Sequence, residues 1–329
     1  MTHPKIAVLH NSFDAMGGAE RVTATLIEAL NDVGICPAVH TIAPIPEDYL
    51  CSFYCKKLHY KLAATFPLKI NTLNIYQKVL TNLLSFKLAK YDVVINMSMP
   101  TPFDGIFKRH ILYIHNPIFL MKTKKYANKP FSSSKYEKSL FWKLYYTPYN
   151  LILQHAIRNV KAELLANSYF TKWRLKKYAG LQSKVVYPPV DIDAFSPVFG
   201  NTDRNGVISI GRFSPEKRQL KQLEIAKCLP ETTFRICGSV VMPYNWQWFQ
   251  YIKSKVEEME LKNVELHPNP PFKKLVKLIG ESKIFIHTML YEDFGLTTCE
   301  AIAGGCIPCV INSGGQKELY HSKIFDFTH

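Results

Sequence analysis

The sequence contains no run of about 18 uncharged apolar residues, so no segment reads as a membrane-spanning helix. Neither G-x-G-x-x-G nor a P-loop occurs, which excludes the usual dinucleotide and Walker-type phosphate fingerprints. Residues 1–9 have only a short apolar run after Lys5 and no small-residue cleavage site, so they read as a first strand and not as a signal peptide. The eight cysteines form no disulfide framework. Cys237, Cys306 and Cys309 lie in apolar, strand-like runs, where cysteine acts as a small hydrophobe. Cys306-Ile-Pro-Cys309 spells C-x-x-C but lacks the helix start or second pair that redox or zinc chemistry needs, so a reducing compartment is the default. The most telling shortage is of acidic residues. Residues 1–185 hold 10 against 25 Lys and Arg, and no acid lies between Asp48 and Asp92 or between Asp104 and Glu137. Residues 186–329 hold 16 of each sign, so the whole net charge of +15 belongs to the first half. That half should be drawn to a polyanion, either nucleic acid or an anionic membrane face.

A length of 329 residues suggests two domains, and 47 % hydrophobic with 20 % charged residues is ordinary globular composition. Lys5–Leu9 reads as a strand and Ala19–Leu30 as an amphipathic helix carrying Val22, Leu26, Ile27 and Leu30 on one face. A strand follows near Pro37–Ile42, with further strands at Val93–Asn96, Ile111–His115 and Leu164–Ala166. Leu62–Lys90 reads as helical, with apolar residues from Leu73 to Phe86 among lysines. It is either a core-facing helix with a solvated lysine face or a helix lying on a membrane. The second half alternates more cleanly. Strands are expected at Val207–Ile210, Thr233–Cys237, Val264–Leu266, Lys283–His287 and Cys306–Val310. Helices are expected at Glu216–Cys228, Trp246–Glu260, Lys273–Glu281 and Leu296–Ala303. Tyr187-Pro188-Pro189 marks a stiff junction. The expected class is α/β, with two doubly wound domains, residues 1–186 and 187–329, binding ligands beyond the carboxyl ends of their strands.

Several constellations sit at such strand ends. Glu292 and Glu300 flank Phe294-Gly295-Leu296 at a helix start, where free amides suit an anion and carboxylates suit sugar or ribose hydroxyls. The bland alternative is a capping Glu292 and a solvated Glu300. After Val207–Ile210 comes Gly211-Arg212-Phe213-Ser214-Pro215-Glu216-Lys217, in which Arg212 and Lys217 can converge on a diphosphate. The alternative there is a surface pair with Glu216. Gly17-Gly18 opens the first helix and permits backbone contact with phosphate or sugar, and His115 ends a strand before Asn116-Pro117.

Together these strings resemble retaining glycosyltransferases of family 4, which have the GT-B fold. The matching segments are Gly17–Val22, Tyr113–Pro117, Ala166–Thr171, Tyr187–Asp191, Gly211–Lys217 and Glu292-x7-Glu300, in the family's order. The resemblance implies two Rossmann-like domains facing across a cleft, and transfer of a sugar from a nucleoside diphosphate sugar. Arg212 and Lys217 would hold the diphosphate, and Glu292, with the backbone of Phe294, Gly295 and Leu296, would hold the donor sugar. Glu300 would hold the ribose, His115 would lie near the reacting sugar, and Gly17-Gly18 would approach phosphate or acceptor. No cofactor or metal is implied. Asp191-Ile-Asp193 matches D-x-D, but beside Pro-Pro-Val it reads as chance.

Tyr113–Pro117 and Gly211–Lys217 look most like α-mannosyltransferases that extend lipid-linked oligosaccharides on the cytosolic membrane face, which favours GDP-mannose as donor. The basic first half fits a peripheral membrane protein with a lipid-linked glycan acceptor. The chain stops soon after Gly314-Gly315-Gln316-Lys317-Glu318, where the family continues to a helix crossing back to the first domain. A partner protein completing the carboxyl end, or an inactive glycan- or nucleotide-sugar-binding relative, is the alternative. A nucleotide-sugar hydrolase or epimerase and a nucleic-acid binder are further readings. The last is disfavoured because no recognition-helix, RRM or zinc signature occurs.

Overall fold

The computed structural model describes residues 3–13, 17–42, 58–65, 81, 83–117, 140–240 and 245–319. The chain divides into two compact units, built chiefly from the residues up to Tyr187 and from Pro188 onward.

In the first unit the strands are β1 (Ile6–Leu9), β2 (Ala38–Thr41), β3 (Lys61–Thr65), β4 (Val93–Asn96), β5 (His110–Ile114), β6 (Glu163–Ala166) and β7 (Lys184–Val185). They form one parallel sheet in the order β3-β2-β1-β4-β5-β6-β7. Helices α1 (Gly18–Asp32), α2 (Leu140–Arg158) and α3 (Tyr169–Ala179) connect them. β1 is buried along its whole length, as expected of a strand covered on both faces. One core cluster joins Leu112 and Ile114 of β5 and Leu164 and Ala166 of β6 to Leu153 and Ile157 of α2 and Leu175 and Tyr178 of α3. Helix α3 starts at Ser168, whose hydroxyl accepts from the Thr171 amide, and ends at Gly180 with φ of 70°.

The second unit contains β8 (Val207–Ile210), β9 (Phe234–Gly238), β10 (Val264–Pro268), β11 (Ile284–His287) and β12 (Ile307–Val310), parallel in the order β10-β9-β8-β11-β12. Its helices are α4 (Ile192–Phe199), α5 (Gln219–Cys228), α6 (Trp246–Glu258), α7 (Phe272–Glu281) and α8 (Leu296–Ala303). Ile208, Ile210 and Phe285 pack with Phe195, Ile279 and Ala301. Val207, Phe234 and Ile286 pack separately with Ala226, so the sheet is covered on both faces. Asp191 caps α4 by accepting from the Ala194 amide at 3.2 Å, which gives the D-x-D string a structural role.

Two expectations need correction. Within the expected helix Leu62–Lys90, Lys61–Thr65 is strand β3, pairing in parallel with β2, and Leu84–Lys90 is a 3-10 turn. The sheet edge supplies backbone partners that override the helical preference of Lys-Leu-Ala-Ala. Residues 66–80 of that stretch, with Leu73 to Leu80, lie outside the described residues. The helix expected at Glu216 begins at Gln219, because a 3-10 turn over Pro215–Lys217 ends in Arg218 at φ 55°. A left-handed residue interrupts the i to i−4 ladder.

Arg204 ties the second unit together. Its guanidinium donates to the carbonyls of Asn201 (2.8 Å), Val198, Phe199 (3.1 Å), Ile279 (3.3 Å), Ser282 (3.3 Å) and Gly304 (2.6 Å). These carbonyls lie at the carboxyl ends of α4, α7 and α8, where helix acceptors lack intrahelical partners. Arg204→Ala is expected to destabilise this unit by about 2–4 kcal/mol, read from the urea midpoint, with Arg204→Lys restoring only a fraction because one ammonium cannot span three helix ends.

Candidate active site

The order of the second sheet reverses at β8, which lies between β9 and β11. At such a reversal in an open parallel sheet, ligands bind beyond the carboxyl ends of the adjacent strands. After β8, Gly211 leads into the 3-10 turn Pro215–Lys217. The Thr288 hydroxyl, just past β11, donates to the Lys217 carbonyl at 2.8 Å and accepts from Gln222 Nε2 at 2.9 Å. Lys217 is thereby aimed toward the loop after β11, and its Nζ lies 2.6 Å from Glu292 Oε2, both side chains being less than one-fifth exposed. Arg212 does not join this pair. It is exposed, with Glu216 3.7 Å away, which is the surface pairing weighed above.

Glu292 is held from below by glycines. Gly314 has φ of 73°, and a Cβ there would come within 2.3 Å of the Glu292 carbonyl oxygen, so only glycine fits. The Gly315 amide donates to that same oxygen at 2.7 Å. Next along the chain Phe294 is buried, and Gly295, at φ 106°, starts α8. The Thr298 and Cys299 amides turn back to the Gly295 carbonyl, leaving the Leu296 and Thr297 amides as the leading donors of the helix. Thr298 Oγ1 is buried without a hydrogen-bond partner among the described residues. Glu300 lies inside α8 and is 3 % exposed, so it is not a solvated surface residue.

Two residues here were not singled out from sequence. His287, the last residue of β11, puts Nε2 3.2 Å from Glu292 Oε2, and Gln316 Nε2 lies 2.8 Å from its Nδ1. Their signal was available: a histidine closing an apolar strand, and a glutamine directly after a glycine pair. Burial raises the Glu292 carboxyl, but the Lys217 ammonium and His287 outweigh it and hold it below the usual carboxylate range. Burial lowers the His287 pKa, so the ring is neutral.

In the first unit, His10 follows β1 and His115 follows β5. His10 lies 3.3 Å from the Thr23 hydroxyl through Nδ1 and 3.7 Å from Glu20 through Nε2. His10 and Glu20 were also not predicted as site residues, although both flank the Gly17-Gly18 turn from which α1 starts. His115 packs edge-on against Tyr113 with ring centroids 4.9 Å apart, and its carbonyl accepts from Asn167 Nδ2. Burial lowers its pKa to about 3, the charge of His10 adding to the effect and that of Glu20 opposing it. Its Nε2 is buried with no partner among the described residues. Burial also pushes the Cys306 and Cys309 thiols up to about 11, and Cys306 Sγ donates to the Ile279 and Ser282 carbonyls. Neither is a thiolate at neutral pH.

Burial lowers the pKa of His40, of His110 to about 4, of His115 to about 3, and of His287. In the unfolded chain each takes up a proton below pH about 6.5. The unfolded state therefore binds more protons between that pH and the lowered folded values, and stability falls as the pH falls. The melting temperature should drop from pH 7 to pH 5, and less steeply in His115→Gln. A flat or rising profile would contradict this burial.

Residues 191–323 match the family model described as "Glycosyl transferases group 1". A GDP-Man:Man(3)GlcNAc(2)-PP-Dol alpha-1,2-mannosyltransferase of Dictyostelium discoideum is 27 % identical over 235 residues, which are 63 % of this chain and 46 % of that protein. The protein of the same name from Xenopus laevis is 30 % identical over 148 residues, 41 % of this chain and 30 % of that one. The chain thus spans less than half the length of these relatives. Among solved structures, Anabaena HepE in complex with UDP and glucose superposes with a TM-score of 0.71 at 18 % identity, covering 99 % of this chain and 86 % of that one. WaaG, a glycosyltransferase involved in lipopolysaccharide biosynthesis, gives 0.68 at 14 % identity, covering 95 % and 83 %. The two parallel-sheet halves are those of the GT-B fold.

Proposed function

We propose that the chain transfers a hexose, with retention of anomeric configuration, from a nucleoside diphosphate sugar to a lipid-linked glycan, with mannose from GDP-mannose as the favoured donor. The Lys217–Glu292 pair carries this reading. An ammonium has three donors, and one is engaged by Glu292, leaving two for phosphate oxygens. Beside it, the carboxylate accepts from sugar hydroxyls. A ligand with phosphate next to a hydroxyl-rich ring matches that layout. The names of the Dictyostelium and Xenopus relatives supply GDP-mannose and the dolichol-linked acceptor.

In the reaction the bond from the anomeric carbon to the diphosphate oxygen breaks. A bond to the acceptor hydroxyl oxygen forms, and the proton of that hydroxyl passes to the departing diphosphate oxygen. Lys217 and the leading amides of α8 stabilise the charge growing on the diphosphate, with Arg212 closing from its exposed position. Glu292 and the backbone of Phe294, Gly295 and Leu296 hold the donor sugar, and Glu300 holds the ribose. His115 is assigned to the reacting sugar, and Gly17 and Gly18 to phosphate or acceptor.

A membrane-facing surface is proposed on α3. Tyr169, Lys172, Trp173, Lys176 and Lys177 recur at helical spacing on its outward side, with Tyr169 59 % and Trp173 45 % exposed. Lys177 Nζ lies 4.5 Å above the Trp173 ring. No acidic residue occurs between Glu163 and Asp191. Aromatics among lysines suit the headgroup region of an anionic bilayer. Among the described residues no helix is long and apolar enough to cross a membrane.

Lys217→Ala and Glu292→Ala are each expected to lower mannosyl transfer from GDP-mannose about 100-fold or more while circular dichroism stays native. Wild-type rates would refute the site, and binding of GDP-mannose by the wild type without transfer would favour the inactive relative. Replacing Lys176 and Lys177 by glutamine should weaken sedimentation with anionic vesicles by about fivefold per lysine, and neutral vesicles should capture neither form. Unchanged sedimentation would remove α3 from the membrane contact.

A further inference from the structure

We infer that His287 is a positioning residue for Glu292: together with Lys217 it engages the single carboxylate oxygen Oε2, so that Oε1 remains the oxygen available to a sugar hydroxyl. The inference rests on the donor-site reading above and adds the residue that sets its geometry. The Lys217 ammonium donates to Oε2 at 2.6 Å, and His287 Nε2 lies 3.2 Å from the same oxygen, off the line of a formed hydrogen bond. The terminal torsion of a glutamate is broad, and a carboxylate held by one donor can turn. The ammonium from the β8 loop and the imidazole at the end of β11 approach that oxygen from different strands and restrict its rotation.

The imidazole is itself oriented. Gln316 Nε2 faces Nδ1 at 2.8 Å, and an amide N–H donating there places the ring proton on Nε2, toward Glu292. Gln316 directly follows Gly315, whose amide fixes the Glu292 carbonyl at 2.7 Å. One short segment therefore sets both the backbone of Glu292, through Gly315, and its carboxylate, through Gln316 and His287. His287 is 3 % exposed, so its ring is fixed by the packing around it. The Glu292 side chain keeps 18 % exposure.

Calorimetric affinities for GDP-mannose and for GDP, with kcat and KM for transfer, test this on His287→Leu, His287→Gln, Gln316→Leu and Glu292→Gln. His287→Leu should weaken GDP-mannose about tenfold and leave GDP within about twofold, because only the sugar contact is misaligned. His287→Gln, whose amide can donate to Oε2, should recover most of the loss. Gln316→Leu should act in the same direction by about threefold, and it serves where His287→Leu does not fold. The inference is overturned if a folded His287→Leu keeps the GDP-mannose to GDP affinity ratio, or if it weakens both ligands equally. Glu292→Gln separates the two levels. If it lowers the ratio while His287→Leu does not, only the positioning role fails. If it leaves the ratio unchanged, the donor-site reading fails and the positioning role falls with it.

Discussion

A lysine and a glutamate that arrive from different strands and meet at 2.6 Å organise the second unit. Lys217 comes from the loop after β8 and Glu292 from the loop after β11, the neighbouring strands at which the sheet order reverses. Much of the nearby structure serves that meeting. Arg218 adopts a left-handed conformation so that α5 restarts beyond Lys217, and Thr288 pins the Lys217 carbonyl. Gly314 and Gly315 let two backbones approach closely enough to fix Glu292. A partly buried ion pair contributes little net stability, since desolvation offsets its attraction. Its presence beside the leading amides of a helix is better explained by what it can bind.

The two units divide the chemistry by charge. The second, with balanced charge, arranges one cation, one carboxylate and one helix start in a small space, as recognition of a defined anion requires. The first carries the entire excess of +15, spread over stretches without acids, as attraction to an extended anionic surface requires. In this unit His10, after β1, is buried beside the Thr23 hydroxyl, while Lys176 and Lys177 of α3 lie outward.

Strong local periodicity made most of the architecture legible. Val93–Asn96, Val207–Ile210 and Leu296–Ala303 have the bounds expected from their apolar runs, because a strand buried on both faces and a short amphipathic helix each leave a plain pattern. Tertiary pairing was not legible. Lys61–Thr65 is a strand only because β2 offers it an edge. Helix α2 was hidden by Pro148 and by apolar residues all round, which leave no period. In the site, Lys217 and Glu292 could be proposed from their strand-end positions, but their mutual contact could not, since 75 residues separate them. Arg212 and Lys217 looked equivalent in sequence, yet the 3-10 turn sends one to solvent and the other inward. His287 and Gln316 escaped notice because each resembles an ordinary core or loop residue until the fold joins them.

The most direct test is a crystal structure of the chain with bound GDP. A diphosphate oxygen is expected within hydrogen-bond distance of Lys217 Nζ, at the amino end of α8, with Glu292 beside it. A diphosphate bound elsewhere, with the Lys217–Glu292 pair undisturbed and no ligand near α8, would contradict it.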